Sequence, residues 1–113
     1  MSPDQEYRIF YHCAETGDDA PSDEAVAYPL DTIIDMAMQL VREDGDFLGV
    51  LDGSGKCVQF ISTGAGLVEV DIPDPAKRGS HKKSITESAL ENQVKSLASL
   101  FHGKLDGFTF TPW

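Results

Sequence analysis

His12, Cys13, Cys57, His81 and His102 are the side chains of this chain best suited to metal or covalent chemistry. None of them falls into the C-x2-C or H-x3-H spacing that brings ligands together on one turn or hairpin. His12 and Cys13 are adjacent in a run that reads as a strand, so they point to opposite faces and do not chelate one ion. A thiol nucleophile needs an oriented base, and no pattern here orients a histidine against either cysteine. Both thiols sit inside strand-like apolar runs and read as buried and free, as expected in a reducing compartment. The glycine pairs Gly53/Gly55 and Gly64/Gly66 lie between strand patterns rather than at a strand-to-helix junction. They are turns, not phosphate cradles. No strained serine elbow is present. The reading is a chain with no catalytic residues, no metal site and no cofactor.

Carboxylates carry the signal that remains. Nineteen Asp and Glu stand against nine Lys and Arg, for a formal charge of −10. The stretch ETGDDAPSDE places Glu15, Asp18, Asp19, Asp23 and Glu24 within ten residues without a cation. Glu43, Asp44 and Asp46 form a second cluster, and Glu69 and Asp71 alternate along a later strand pattern. Such a balance disfavours nucleic acid and anionic membranes as partners, because both demand clustered cations. It suits a basic protein, which an acidic surface steers inward. Lys77, Arg78, Lys82 and Lys83 collect four of the nine cations around His81. That run reads as a solvated loop, a contact site, or a complement to the acidic decapeptide. No apolar run of about 18 residues is present, so no membrane-spanning helix is expected. The first residues, MSPDQEYRIF, lack the pattern of a secretion signal. The expected location is cytoplasmic.

The elements follow from periodicity. EYRIFYHC (6–13) alternates as a strand, and the acidic decapeptide, broken by Gly17 and Pro21, reads as a loop. Leu30, Ile33, Ile34, Ala37, Met38 and Val41 recur at helical spacing over 30–43, with Pro29 and Asp31 at the start. GDFLGVLDG, KCVQFIS and LVEVDIP read as three strands joined by DGSG and TGAG turns. Residues 73–83 read as a loop. Ser84 and Glu87 match a capping box that opens a helix carrying Leu90, Val94, Leu97 and Phe101, with Gly103 as its stop. Phe108 to Thr111 forms a last strand.

The expected order is β-α-β-β-β-α-β over one domain, 1–113. Each helix has a single apolar stripe. Both helices therefore belong on one face of a mainly antiparallel sheet, a two-layer α+β sandwich. The covered face comprises Tyr7, Ile9, Tyr11, Val58, Phe60, Val68, Val70, Phe108 and Phe110. The opposite face comprises Arg8, Phe10, His12, Gln59, Ile61, Glu69, Asp71, Thr109 and Thr111. That face reads either as a solvated sheet surface or as a partner or homodimer surface.

The run GDFLGVLDGSGKCVQF, the second hairpin, and the late helix ending LFHGKLDGFTF resemble the Imm1-type immunity proteins of bacterial polymorphic-toxin systems. The resemblance spans about residues 30–113. It implies a small cytosolic protein that binds a basic toxin domain and occludes it. The candidate contacts for such a partner are the clustered carboxylates Glu15, Asp18, Asp19, Asp23, Glu24, Glu43, Asp44, Asp46, Glu69 and Asp71. Three other readings fit the same acidic composition. One is a secretion chaperone holding an effector segment extended. Another is a small enzyme or ligand-binding domain with an organised pocket. The last is an acidic mimic of nucleic acid.

Overall fold

The fold is given by a computed structural model, which describes residues 6–13, 18–20, 26–53, 56–103, 105 and 107–113. Eight strands and three α-helices appear among the described residues: β1 (Glu6–Cys13), β2 (Asp18–Ala20), β3 (Val26–Pro29), α1 (Leu30–Leu40), β4 (Phe47–Leu51), β5 (Cys57–Gly64), β6 (Leu67–Asp74), β7 (Gly79–Thr86), α2 (Glu87–Lys95), α3 (Leu97–Phe101) and β8 (Thr109–Pro112). The strands form one open antiparallel sheet in the order β2-β1-β4-β5-β6-β7-β8. β3 shares the outer edge of β1 with β2: β3 pairs with residues 6–9 and β2 with residues 11–13. The architecture is the expected two-layer α+β sandwich.

β3 and β4 flank β1, and both run antiparallel to it. They are therefore parallel to each other, a relation that requires a crossover connection, and α1 supplies it. From β4 the chain continues as a four-strand meander to β7. α2 and α3 then return it to the far edge as β8.

One hydrophobic cluster joins the layers. Tyr7, Ile9, Leu48, Val50, Val58, Phe60, Val68 and Val70 rise from the sheet to meet Ile33, Ala37, Val41, Leu90, Val94, Leu97 and Leu100 from the helices and their ends. The Tyr7 ring stacks on Phe101 at 5.4 Å between centroids. Burying each large side chain contributes about 1.5–3 kcal/mol before conformational entropy is charged.

Several expectations are corrected. Part of the acidic decapeptide is strand rather than loop, since Asp18–Ala20 adds β2 to the sheet. Residues 73–83 are not a loop either. β6 runs through Asp74, Pro75–Lys77 make one 3-10 turn, Arg78 adopts φ 54°, and β7 begins at Gly79. Ser84 consequently sits inside β7, opposite Glu69, and no capping box forms. α2 starts at Glu87, with Thr86 at its N-cap and no side-chain cap bond. Ladder pairing along the whole of β7 outweighs the single capping bond that Ser84 offers locally. The late helix is two helices. At Ser96 the hydroxyl and the N–H both donate to the Asn92 carbonyl, and the axis breaks there. α1 ends at Leu40, so Val41 is its C-cap. Met38 is exposed, while Met36 and Leu40 pack against the core in its place. Phe110, expected to be covered, remains 39% exposed because β8 lies at the sheet edge, two strands beyond β6.

Candidate functional site

The sheet face opposite the helices is built as continuous cross-strand rows. Register aligns Phe10, Gly49, Gln59, Asp71, Lys82 and Thr109 across β1, β4, β5, β6, β7 and β8. The neighbouring row runs His12, Phe47, Ile61, Glu69 and Ser84. Side chains directly opposed in an antiparallel pair share one face at about 5 Å. The face therefore grades from an aromatic end on β1 and β4, through Ile61, to two carboxylates on β6 and a lysine on β7.

The aromatic end is organised. The Phe10 and Phe47 rings meet edge-on at 6.1 Å, and the His12 ring stacks on Phe47 at 6.1 Å. Gly49 makes the first contact possible. A Cβ at this position would lie 2.0 Å from Cζ of Phe10, because the ring lies flat over the glycine. An aromatic ring covering a strand glycine restores the packing that the missing side chain forfeits. Phe10, His12, Phe47, Gln59, Ile61, Glu69, Asp71 and Lys82 are all half-buried.

Asp71 carries the main irregularity of this face. Its Oδ1 is buried and has no hydrogen-bond partner. Leaving a charged acceptor unmet costs more than leaving a neutral one. Nearby, burial pushes the Cys57 thiol up to about 11. A hydrogen bond with Gln59 partly opposes that, and the charge of Asp71 adds to it. Cys57 therefore stays protonated at neutral pH and is a poor nucleophile.

The other candidate residues are dispersed. Glu15, Asp23 and Glu24 lie outside the described residues. Asp18 and Asp19 belong to the β2 backbone, with Asp19 in register with His12. Glu43 and Asp44 are exposed on the turn between α1 and β4. Asp46 is corrected from surface contact to structural residue, for it is fully buried. Its Oδ2 accepts from the N–H of Glu43 at 2.9 Å and of Arg42 at 3.3 Å. Among the candidates with described side chains, Glu69 and Asp71 join the aromatic end on one surface, and the register position of Asp19 falls beside His12 at its edge. The basic run also splits. Lys82 lies on the helix-free face opposite Asp71, whereas Lys83 lies on the other face, 5.8 Å from the Phe108 ring centre. Sequence reasoning identified Phe10 and Ile61 but missed Phe47 and Gly49. The alternation of DFLGVL contained that signal, since Leu48 and Val50 point inward and leave Phe47 and Gly49 outward.

On the helix side, a cavity of about 400 Å³ opens where α3 ends over β6 and β7. Ile72, Leu100, Phe101 and Leu105 supply apolar wall. Asp74 and His81 form its polar end, with Asp74 Oδ2 3.3 Å from His81 Nε2. Lys56 stands at the same cavity and donates through Nζ to the Phe101 carbonyl at 3.3 Å. Among the described residues, no three His, Cys, Asp or Glu side chains gather as a metal site. No helix among them is long and apolar enough to cross a membrane. In comparisons with known proteins, the chain matches no family model, no curated protein and no solved structure.

Proposed function

We propose that this protein is a binding protein of the immunity type, which docks its helix-free sheet face onto a basic protein domain and occludes that domain's working surface. The observation that carries the reading is the juxtaposition on one face of an aromatic cluster with the unpaired buried oxygen of Asp71. Apolar rings on β1 and β4, with carboxylates two to three strands away on β6 of the same face, offer a partner an apolar anchor and an acceptor for its arginine or lysine. The chain's charge of −10 supplies long-range attraction to such a partner. Glu69 and the exposed Glu43 and Asp44 add to the negative field, and the five carboxylates of residues 15–24 add to the net charge. Inhibition here is occupancy of a surface, with no bond-making by this protein, in the cytoplasm where the target domain would otherwise act.

The experiment is co-expression with basic toxin domains as candidate partners. Viability is the first readout, and affinity of the purified pair is the second. Phe47→Ser and Asp71→Asn are each expected to weaken binding by about tenfold or more, since a buried anchor is worth about 2 kcal/mol. Wild-type affinity in both variants removes the helix-free face from the interface. A stable homodimer that buries this face and persists with the partner present would overturn the reading in favour of self-association.

A further inference from the structure

The cavity under α3 belongs to the other side of the molecule and is not used by the proposed docking face. Its volume of about 400 Å³ falls within the range of sites that enclose small organic ligands. Three features restrict what it takes. Its wall is mostly apolar, with Ile72, Leu100, Phe101 and Leu105 contributing, so the body of the ligand is apolar. Phe101 and His81 add aromatic atoms to the wall, which suits an aromatic ring as the ligand's body.

Charge is the second restriction. Within a molecule of −10, the formal charges among the described residues that line this cavity are one lysine and one aspartate. The Lys56 ammonium is already directed at the Phe101 carbonyl, at the end of α3. The site therefore does not select an ion. Hydrogen bonding is the third. Asp74 uses Oδ2 for His81, and no other described residue bonds to Oδ1. The Asp74 side chain is part-exposed and a carboxylate only accepts, so a ligand group that replaces water on Oδ1 must donate.

We infer that this cavity binds an uncharged, planar heteroaromatic molecule bearing a ring N–H, of the indole class, with the N–H donated to Asp74. The ring lies against Phe101 and Leu105, and His81 holds the carboxylate in place from the opposite side. Asp74 makes the direct contact; His81 is a positioning residue.

Indole itself is the probe, titrated into the full chain and followed by heteronuclear NMR. Saturable shifts centred on Ile72, His81, Leu100 and Leu105 are expected, with the helix-free face unmoved. 1-Methylindole, which keeps the ring and lacks the donor, is expected to bind roughly tenfold more weakly, the loss of one hydrogen bond to a charged group. Asp74→Ala is expected to erase the difference between the two probes, and Leu105→Trp to fill the space and abolish binding of both. Retained spectral dispersion in each variant certifies the fold. Equal affinity of the two probes for the wild-type chain overturns the assignment of the N–H to Asp74, without needing any variant. Absence of saturable shifts at the cavity overturns the site altogether.

Discussion

Two backbone N–H groups, those of Arg42 and Glu43, converge on one oxygen of Asp46 inside the molecule. The same residue's main chain bonds Ser62 and Glu43, so the turn after α1 is tied to β5 through Asp46. Removing the carboxylate leaves both N–H donors without their partner. Asp46→Ala is expected to lower unfolding free energy by about 2 kcal/mol. That loss should appear as a reduced urea midpoint at unchanged slope. Cys57 makes a different prediction. Its thiol titrates near 9 when unfolded and at about 11 in the fold, chiefly through burial. An acid whose folded value is raised favours the fold fully below its unfolded value and loses that contribution as pH rises through the folded one. Stability should therefore fall from about pH 9 to about pH 11. Tyr7, raised by burial and by Asp52, acts in the same direction. Cys57→Ser should flatten the alkaline decline in urea midpoint relative to wild type. An unaltered profile would mean that the thiol is already solvated.

At the scale of elements, β7 shows how pairing overrides local signals. GSHKKSIT alternates poorly in hydropathy, and Ile85 is its only large buried apolar side chain. It is nonetheless a full strand, because β6 offers an edge along eight consecutive register pairs. Ser84 is exposed within it, and its hydroxyl caps nothing. Ser84→Ala should therefore change stability by no more than about 0.5 kcal/mol. An N-cap serine would lose about 1 kcal/mol on the same substitution, so thermal denaturation separates the two roles. β2 and β3 escaped detection for a related reason. They are three and four residues long, shorter than the span over which alternation becomes readable. The α1 stripe was legible because its apolar spacing persists for three turns. Even there, solvent reaches Met38 while Met36 turns inward, a choice made by packing against the sheet.

For the whole molecule, net charge is the property that reaches farthest from any single contact. Steering of a basic partner acts over about a Debye length, near 8–10 Å at physiological salt. Neutralising Glu15, Asp18, Asp19, Asp23 and Glu24 together should slow association with such a partner by about tenfold at low salt. The difference should vanish at high salt, as stopped-flow measurement can check. An unchanged rate at low salt would assign the acidic segment to solubility alone. Dissociation should depend instead on Phe47 and Asp71, because short-range anchors govern lifetime more than encounter.

Composition and periodicity were sufficient for the layer architecture. A period of two along LVEVDIP and EYRIFYHC separates an inner from an outer face, and a single helical stripe can be buried only against one side of a sheet. They were sufficient also to place Phe10, Ile61, Glu69 and Asp71 on the outer face. Tertiary structure alone decided what stands beside what. Insertion of β1 between β3 and β4 sets Phe10 over Gly49 and against Phe47, residues about forty apart in sequence. The register of β5, β6 and β7 isolates the Asp71 oxygen and carries Lys82 and Lys83 to opposite faces. The return of α3 over the end of β6 creates the cavity. Alternation is a local property of the backbone and survives in the sequence. Strand order and register follow from summed pairing and packing energies over the whole chain, which no local pattern encodes.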